Sequence, residues 1–189
     1  MTMDQRCLIA LGANMPIGDK LPQVVLRDVL SRIGNIVGPV SACSRFYRTP
    51  CFPPGAGPDY VNAAAQVESA LAPGELLDRL HRIEAAFGRE RTERWGARTL
   101  DLDLLGIGDL VLPDRETQAA WMRLGPDEQR EKAPDRLILP HPRLQDRAFV
   151  LVPLADIAPG WRHPVLGRSV SQMCADLPER DRAAVIPIA

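Results

Sequence analysis

Cysteine pairing is missing from this chain. Its four cysteines, Cys7, Cys43, Cys51 and Cys174, are scattered with no CxxC spacing. That argues against a zinc site and leaves reduced, mostly buried thiols of a cytosolic chain as the expectation. Long apolar runs are missing too. Nothing approaches the roughly 18 to 20 uninterrupted apolar residues of a membrane helix. The polar start Met1–Arg6 leads only into the short run Cys7–Leu11, so no secretory leader and a cytoplasmic location are expected. Neither charge sign dominates: 23 Lys+Arg stand against 24 Asp+Glu, for a net charge of −1. No basic field of the kind that binds nucleic acid non-specifically results. Lysine is nearly absent, with Lys20 and Lys132 its only occurrences, and the Arg bias reads as genome composition. Gly12-Ala-Asn14 lacks the GxxxxGK[ST] phosphate loop, and no kinase-type glycine loop or GxSxG nucleophile turn is present. No internal repeat or low-complexity tract is visible.

The remainder describes one domain of 189 residues, 46% hydrophobic and 25% charged, enough to bury a core. Its 18 prolines predict shaped loops. Cys7–Gly12 reads as a buried strand. Leu21, Val24, Val25, Val29 and Ile33 repeat at helical spacing and stop at Gly34. Ile36–Tyr47 reads as one extended strand, and the Pro/Gly-rich run 48–58 as a long irregular loop. Tyr60–Glu68 alternates, with Val61, Ala63, Ala65 and Val67 on one face and Tyr60, Asn62 and Ala64 on the other. A helix follows, with Pro73 near its first position, the stripe Leu76, Leu77, Leu80, Ile83, Ala86 and Phe87, and Gly88 as its stop. After a charged loop, Arg89–Arg98, the segment Thr99–Leu105 alternates cleanly. Leu110–Leu112 is expected to pair back on it as a short strand. The polar stretch 113–134, weakly helical around 117–124, reads as an insertion or flap. Leu137–Pro140 reads as extended, and 144–158 as a helix kinked at Pro153. The tail after Trp161 carries one amphipathic piece, 170–177. The order β-α-β-β-α-β-β, then helices, predicts an α+β fold. The expected architecture is a ferredoxin-like α/β sandwich with a mainly antiparallel sheet and long active-site loops.

Asp101 and Asp103 stand two apart on a strand, so both carboxylates leave one face. Acids this close repel unless a divalent cation lies between them, and Mg²⁺ prefers such oxygen ligands. The alternative is a solvent-facing strand whose outer residues are Asp, a residue that strands disfavour. The preceding loop holds Arg89, Arg91, Arg94 and Arg98. Guanidinium groups match phosphate oxygens, and an acid pair beside mobile arginines suits phosphoryl transfer. A solvated loop balanced by Glu90 and Glu93 is the plainer reading. Trp95, in that loop, suggests closure over a flat ligand or a packing anchor. Tyr60 and Asn62 share a face on which an aromatic could stack on a planar ring and an amide could read its edge.

Several segments together carry a resemblance: Ala10-Leu-Gly-Ala-Asn14, Phe46-Tyr-Arg-Thr-Pro50, Pro58-Asp-Tyr-Val-Asn-Ala63, Arg82-Ile-Glu84 and Gly88–Asp103 with its RWGxRxxDLD core. Leu139–Arg143, Arg147-Ala-Phe149 and Pro153–Ala158 follow in the same order. The chain resembles the 6-hydroxymethyl-7,8-dihydropterin pyrophosphokinases of folate biosynthesis over roughly residues 7–112 and 136–175. The resemblance implies transfer of the β,γ-diphosphate of ATP to the pterin hydroxymethyl group, with release of AMP; a monomer is expected. It implies that Asp101 and Asp103 hold two Mg²⁺ ions and that Arg89 and Arg98 are catalytic, with Arg91 and Trp95 assisting loop closure. Thr49, Pro50, Phe52, Tyr60, Asn62, Trp95 and Phe149 would form the pterin pocket. Glu84, Arg89, Arg91, Arg98, Leu104, Arg136, His141 and Arg147 would serve ATP. Two positions depart from the family. Ala97 replaces a usual Pro, which makes the loop before Arg98 less stiff, and Pro142 stands where some members carry an aromatic. The 113–134 segment is longer than in compact members.

Overall fold

The computed structural model describes residues 5–51, 57–88, 99–125, 128, 132 and 134–188. Its centre is β1 (Gln5–Ala13), a strand buried on both faces because its apolar residues do not alternate with polar ones. β1 pairs antiparallel with β4 (Tyr60–Ser69) on one side and with β5 (Asp101–Ile107) on the other. Two short strands, β2 (Val40–Cys43) and β3 (Tyr47–Thr49), pair in succession along the far side of β4. The sheet order is β5-β1-β4-β3-β6, where β6 (Ile186–Pro187) closes the edge beside β3, and every pairing is antiparallel.

Two helices bridge these strands. α1 (Pro22–Ile36) joins β1 to β2, and α2 (Pro73–Ala86) joins β4 to β5; each opens on a proline, where the missing N–H costs nothing. Val25, Leu26, Val29 and Ile33 of α1, and Leu76, Leu80 and Ile83 of α2, pack on Cys7, Ile9, Leu11, Val61, Ala65, Leu102 and Leu104 in one core. The result is two interleaved β-α-β units, the ferredoxin-like sandwich that the element order predicts. Further helices follow β5. α3 (Arg115–Arg123) lies in the 113–134 segment; α4 (Ala148–Ile157), α5 (Val170–Asp176) and α6 (Glu179–Ala183) follow. Val150, Leu151 and Leu154 of α4, with Val170 and Met173 of α5, form a second core against Leu8, Ala64 and Leu105.

Four expectations are corrected. Residues 36–47 do not form one strand. α1 runs through Ile36, and Gly38 turns the chain at φ 155°, where a Cβ would meet Glu68 O at 2.0 Å. Ser44 then breaks the ladder, because its hydroxyl accepts the Ala64 N–H at 2.9 Å. Leu110–Leu112 is not a hairpin partner of β5. The outer edge of β5 is already engaged by Glu84, which accepts the Leu102 N–H at 2.8 Å. Leu112 instead exchanges two backbone hydrogen bonds with Leu139, at 2.9 and 3.1 Å. The 144–158 helix divides into a 3-10 turn, Leu144–Asp146, and α4, separated by extended Arg147. The tail holds more than one short element, since α6 and β6 follow α5. Pro153 does lie inside α4, and α3 is capped by the Asp114 carboxylate, which accepts the Thr117 N–H at 2.8 Å.

Candidate active site

α4 packs over one part of the second sheet face. Over Leu8, Ala64 and Leu105 the face is apolar and sealed. Outside that core, the register carries a row of polar positions: Asp101 opposite Gly12, Gly12 opposite Asn62, and Asn62 opposite Tyr47. Asp103 opposite Ala10 stands one step toward α4, and Tyr60 opposite Thr49 one step away from it. Period-two alternation therefore brings two acids of an edge strand, and an amide and an aromatic of an inner strand, onto one face.

Gly12 sits between them for a steric reason. A Cβ there would stand 3.0 Å from Asn62 Oδ1. Asn62 and Thr49 are buried, and the Asn62 amide donates to the Thr49 hydroxyl at 2.7 Å. The bond orients the amide and leaves its Oδ1 as an acceptor for an incoming N–H. Asn14, also buried, donates to Pro58 O at 3.2 Å and ties the end of β1 to the loop before β4. Tyr60 is half-buried and Pro50 exposed.

The chain entering α4 supplies the opposite wall. The Arg147 guanidinium lies 3.6 Å from Asp103 Oδ2, and its Cζ stands 5.6 Å from the centre of the Phe149 ring. Phe149 is 41% exposed although strongly apolar, the state of an aromatic that presents a face to something other than its own core. His141 completes the group. Its N–H donates to Leu105 O at 2.8 Å, and its Nδ1 accepts the Arg143 N–H at 3.1 Å. Burial, then the Arg147 cation, push the ring down to about 3, while Asp101 pulls it up. The ring is neutral near pH 7, with its proton on Nε2.

The structure thus brings together Thr49, Tyr60, Asn62, Asp101, Asp103, His141, Arg147 and Phe149. It sets others apart. Glu84 is 2% exposed and holds the end of α2 to β5. The Leu104 side chain is buried in the α1/α2 core, opposite the acids. Arg136 is exposed and pairs with Asp135 at 3.2 Å. Phe52, Arg89, Arg91, Trp95 and Arg98 lie outside the described residues.

One constraint on the site is not visible in the sequence. Tyr47, buried at the end of the polar row, donates through its hydroxyl to Asp156 Oδ2 at 2.8 Å, and Arg45 grips the same carboxylate at 2.8 and 3.1 Å. Burial alone would raise the Asp156 carboxyl, but these donors bring it below its ordinary value. Burial, then Asp156, push the Tyr47 phenol up to about 12. The clamp bolts the far end of α4 to β3. The only hint in the sequence is an Asp in an otherwise apolar helix.

Among the described residues, no group of three or more His, Cys, Asp or Glu could hold a metal alone. The two half-exposed carboxylates of β5 suit a hard cation that takes its other ligands from phosphate oxygens and water, as Mg²⁺ does.

A family profile described as 7,8-dihydro-6-hydroxymethylpterin-pyrophosphokinase (HPPK) matches residues 8–159. The chain is 39% identical over 190 residues to the 2-amino-4-hydroxy-6-hydroxymethyldihydropteridine pyrophosphokinase of Synechocystis sp., covering 98% of this chain and 83% of that one. It is 38% identical over 178 residues to the enzyme of the same name from Pseudomonas aeruginosa, covering 93% and 94%. Among solved structures, wild-type HPPK-DHPS of Plasmodium falciparum matches with a TM-score of 0.64 at 14% identity, over 91% of this chain and 44% of that chain. This chain spans less than half of that protein, and the likeness speaks for the fold alone. With a profile that spans most of the sequence and relatives close to 40% identical over nearly all of it, this chain belongs to the 7,8-dihydro-6-hydroxymethylpterin-pyrophosphokinase family.

Proposed function

We propose that the chain transfers the β,γ-diphosphate of ATP to the hydroxymethyl group of 6-hydroxymethyl-7,8-dihydropterin, giving the pterin diphosphate and AMP, in folate biosynthesis. The observation that carries this reading is the polar row itself. Acids for a metal-bound triphosphate and a ring-reading amide lie on adjacent strands of one open sheet face. The hydroxymethyl oxygen attacks the β-phosphorus as the bond from that phosphorus to the AMP oxygen breaks, and the hydroxyl proton is released to solvent. No covalent intermediate is needed, so alignment and charge neutralisation carry the rate.

Asp101 and Asp103 would hold Mg²⁺, two ions in the full site. When bound, the metal supplies neutralisation of the triphosphate and of the charge that develops on the leaving AMP. The chain's own groups do the rest. Arg147, held only at 3.6 Å by Asp103, can exchange that partner for a phosphate oxygen at little cost. His141 offers an Nε2–H that remains a neutral donor through the physiological range. Asn62, fixed by Thr49, reads the polar edge of the pterin, and Tyr60 and Phe149 bracket its ring. Arg89, Arg91, Trp95 and Arg98 would close over the phosphates and exclude water, the competing nucleophile. Among the described residues no helix is long and apolar enough to cross a membrane, which fits a cytoplasmic enzyme.

The test is a nucleotide product assay with ATP, Mg²⁺ and the pterin. AMP formed in step with pterin diphosphate, and only with both substrates present, supports the reading. ADP would make the chain a simple kinase, and no product from folded protein would overturn the activity.

A further inference from the structure

The 113–134 segment has no assigned role, yet its one described helix is fastened in an unusual way. α3 buries a single side chain completely, and that side chain is polar: Gln118 is 0% exposed. Its amide donates to Pro140 O at 3.1 Å. A buried glutamine contributes little packing for its desolvation cost, and its Oε1 finds no partner among the described residues, so the amide bond to Pro140 is the polar contact that offsets its burial.

Pro140 is the residue before His141. The peptide between them is therefore gripped on both sides. Its carbonyl is held by Gln118, and its N–H donates to Leu105 O at 2.8 Å, two residues beyond Asp103. The flanking chain is fastened as well, by the paired bonds of Leu112 with Leu139. α3 is anchored at its outer end, where Arg115 donates to Pro164 O at 2.9 Å and Asp114 caps the first turn. This chain of contacts runs from the tail, through α3, to one peptide plane, and that plane sets the position of the His141 ring.

We infer that α3 is a buttress for the nucleotide side of the active site and that Gln118 is a positioning residue acting through His141. The inference rests on the proposed reading of His141 as an ATP contact. Without the Gln118 bond the Pro140–His141 peptide is fixed from the β5 side alone, and the Nε2–H loses its aim at the phosphates. The pterin pocket is built from β3, β4 and the start of α4, and does not depend on α3.

The experiment is a double-mutant cycle with Gln118→Met and His141→Ala, with KM measured for ATP and for the pterin separately. Met keeps the volume of Gln and removes the donor. The expected result is a rise of about tenfold in KM for ATP in Gln118→Met, the loss of roughly one positioned hydrogen bond, with KM for the pterin unmoved. In the His141→Ala background the same substitution should add nothing, because the group it positions is gone. A Gln118→Met effect that persists undiminished in that background, or that strikes both substrates equally, would overturn the inference in favour of general packing. Failure of His141→Ala itself to raise KM for ATP would overturn the reading of His141. A rise in that variant with none in Gln118→Met would overturn the buttress alone. Should Gln118→Met not fold, Asp114→Ala loosens α3 from its exposed cap. It should raise KM for ATP in the same direction by a smaller factor, and no rise would again contradict the proposal.

Discussion

The two ends of the sheet face beneath α4 are built from the same strands and differ in almost every other respect. At one end Leu8, Ala64 and Leu105 meet Val150, Leu151 and Leu154 in a dry core. At the other, the same alternation on β1, β4 and β5 places Gly12, Asn62, Asp101 and Asp103 outside that core. One end lowers the free energy of folding; the other holds like charges together in anticipation of a ligand. The strand pattern is continuous, so the boundary between stability and chemistry is set by where the packing of α4 and α5 stops. Arg147 and Phe149 stand at that boundary.

Substitutions at the two ends should fail in different ways. Asp103→Ala should lower turnover by about a thousandfold, the scale at which charge neutralisation contributes to phosphoryl transfer, while the thermal midpoint is unchanged or rises. Relief of the repulsion with Asp101 offsets the loss of the partly exposed 3.6 Å pair with Arg147, itself worth little. Leu154→Ala should do the reverse. Its side chain is 0% exposed, so truncation should cost about 2–5 kcal/mol by denaturant unfolding, with kcat and both KM values close to wild type. A large turnover loss in Leu154→Ala at temperatures where it is folded would blur the boundary.

A smaller effect is expected in the loop that backs the apolar end. Burial pushes His163 from 6.5 down to about 4, and its Nδ1 accepts the Val165 and Leu166 N–H groups, each at 3.2 Å. The folded state thus binds fewer protons than the unfolded state. The stabilisation from the neutral ring is complete above about pH 6.5 and drains away as the pH falls toward 4. Between pH 7 and 5 this one group should remove about 2 kcal/mol of stability. His163→Asn, whose Oδ1 can accept the same N–H groups, should flatten that part of the profile in urea titrations. Smallest is the clamp between the two ends. Asp156→Asn weakens the bonds to Tyr47 and Arg45 and should cost about 1–2 kcal/mol of stability. It should also raise KM for the pterin more than KM for ATP, because β3 carries Thr49.

The core under α1 and α2, on the opposite face, is the easiest part to read in advance, because burial on a strand or helix leaves a period. Val61, Ala63 and Ala65, or Leu76, Leu80 and Ile83, announce their faces by spacing alone. The acids of β5 were legible for the same reason, since two carboxylates on one strand face conflict with strand preference. Contacts across long stretches of chain leave no such trace. Tyr47 and Asp156 are 109 positions apart, and the two-residue β6 is too short to carry a period. Gln118 looked like any polar residue of a surface helix, yet the fold buries it against Pro140. The break at Gly38 and Ser44 depended on tertiary contacts with β4 that local propensity does not encode.

The central claim is that the polar end binds the triphosphate through a metal held by Asp101 and Asp103. Calorimetric titration of ATP tests it most directly, with and without Mg²⁺, into the wild-type chain and into the Asp101→Asn/Asp103→Asn variant, with the pterin titrated in parallel. The account predicts Mg²⁺-dependent ATP binding in the wild type, its loss in the variant, and pterin binding retained in both. Equal Mg²⁺-dependent affinity for ATP in the two proteins would contradict it.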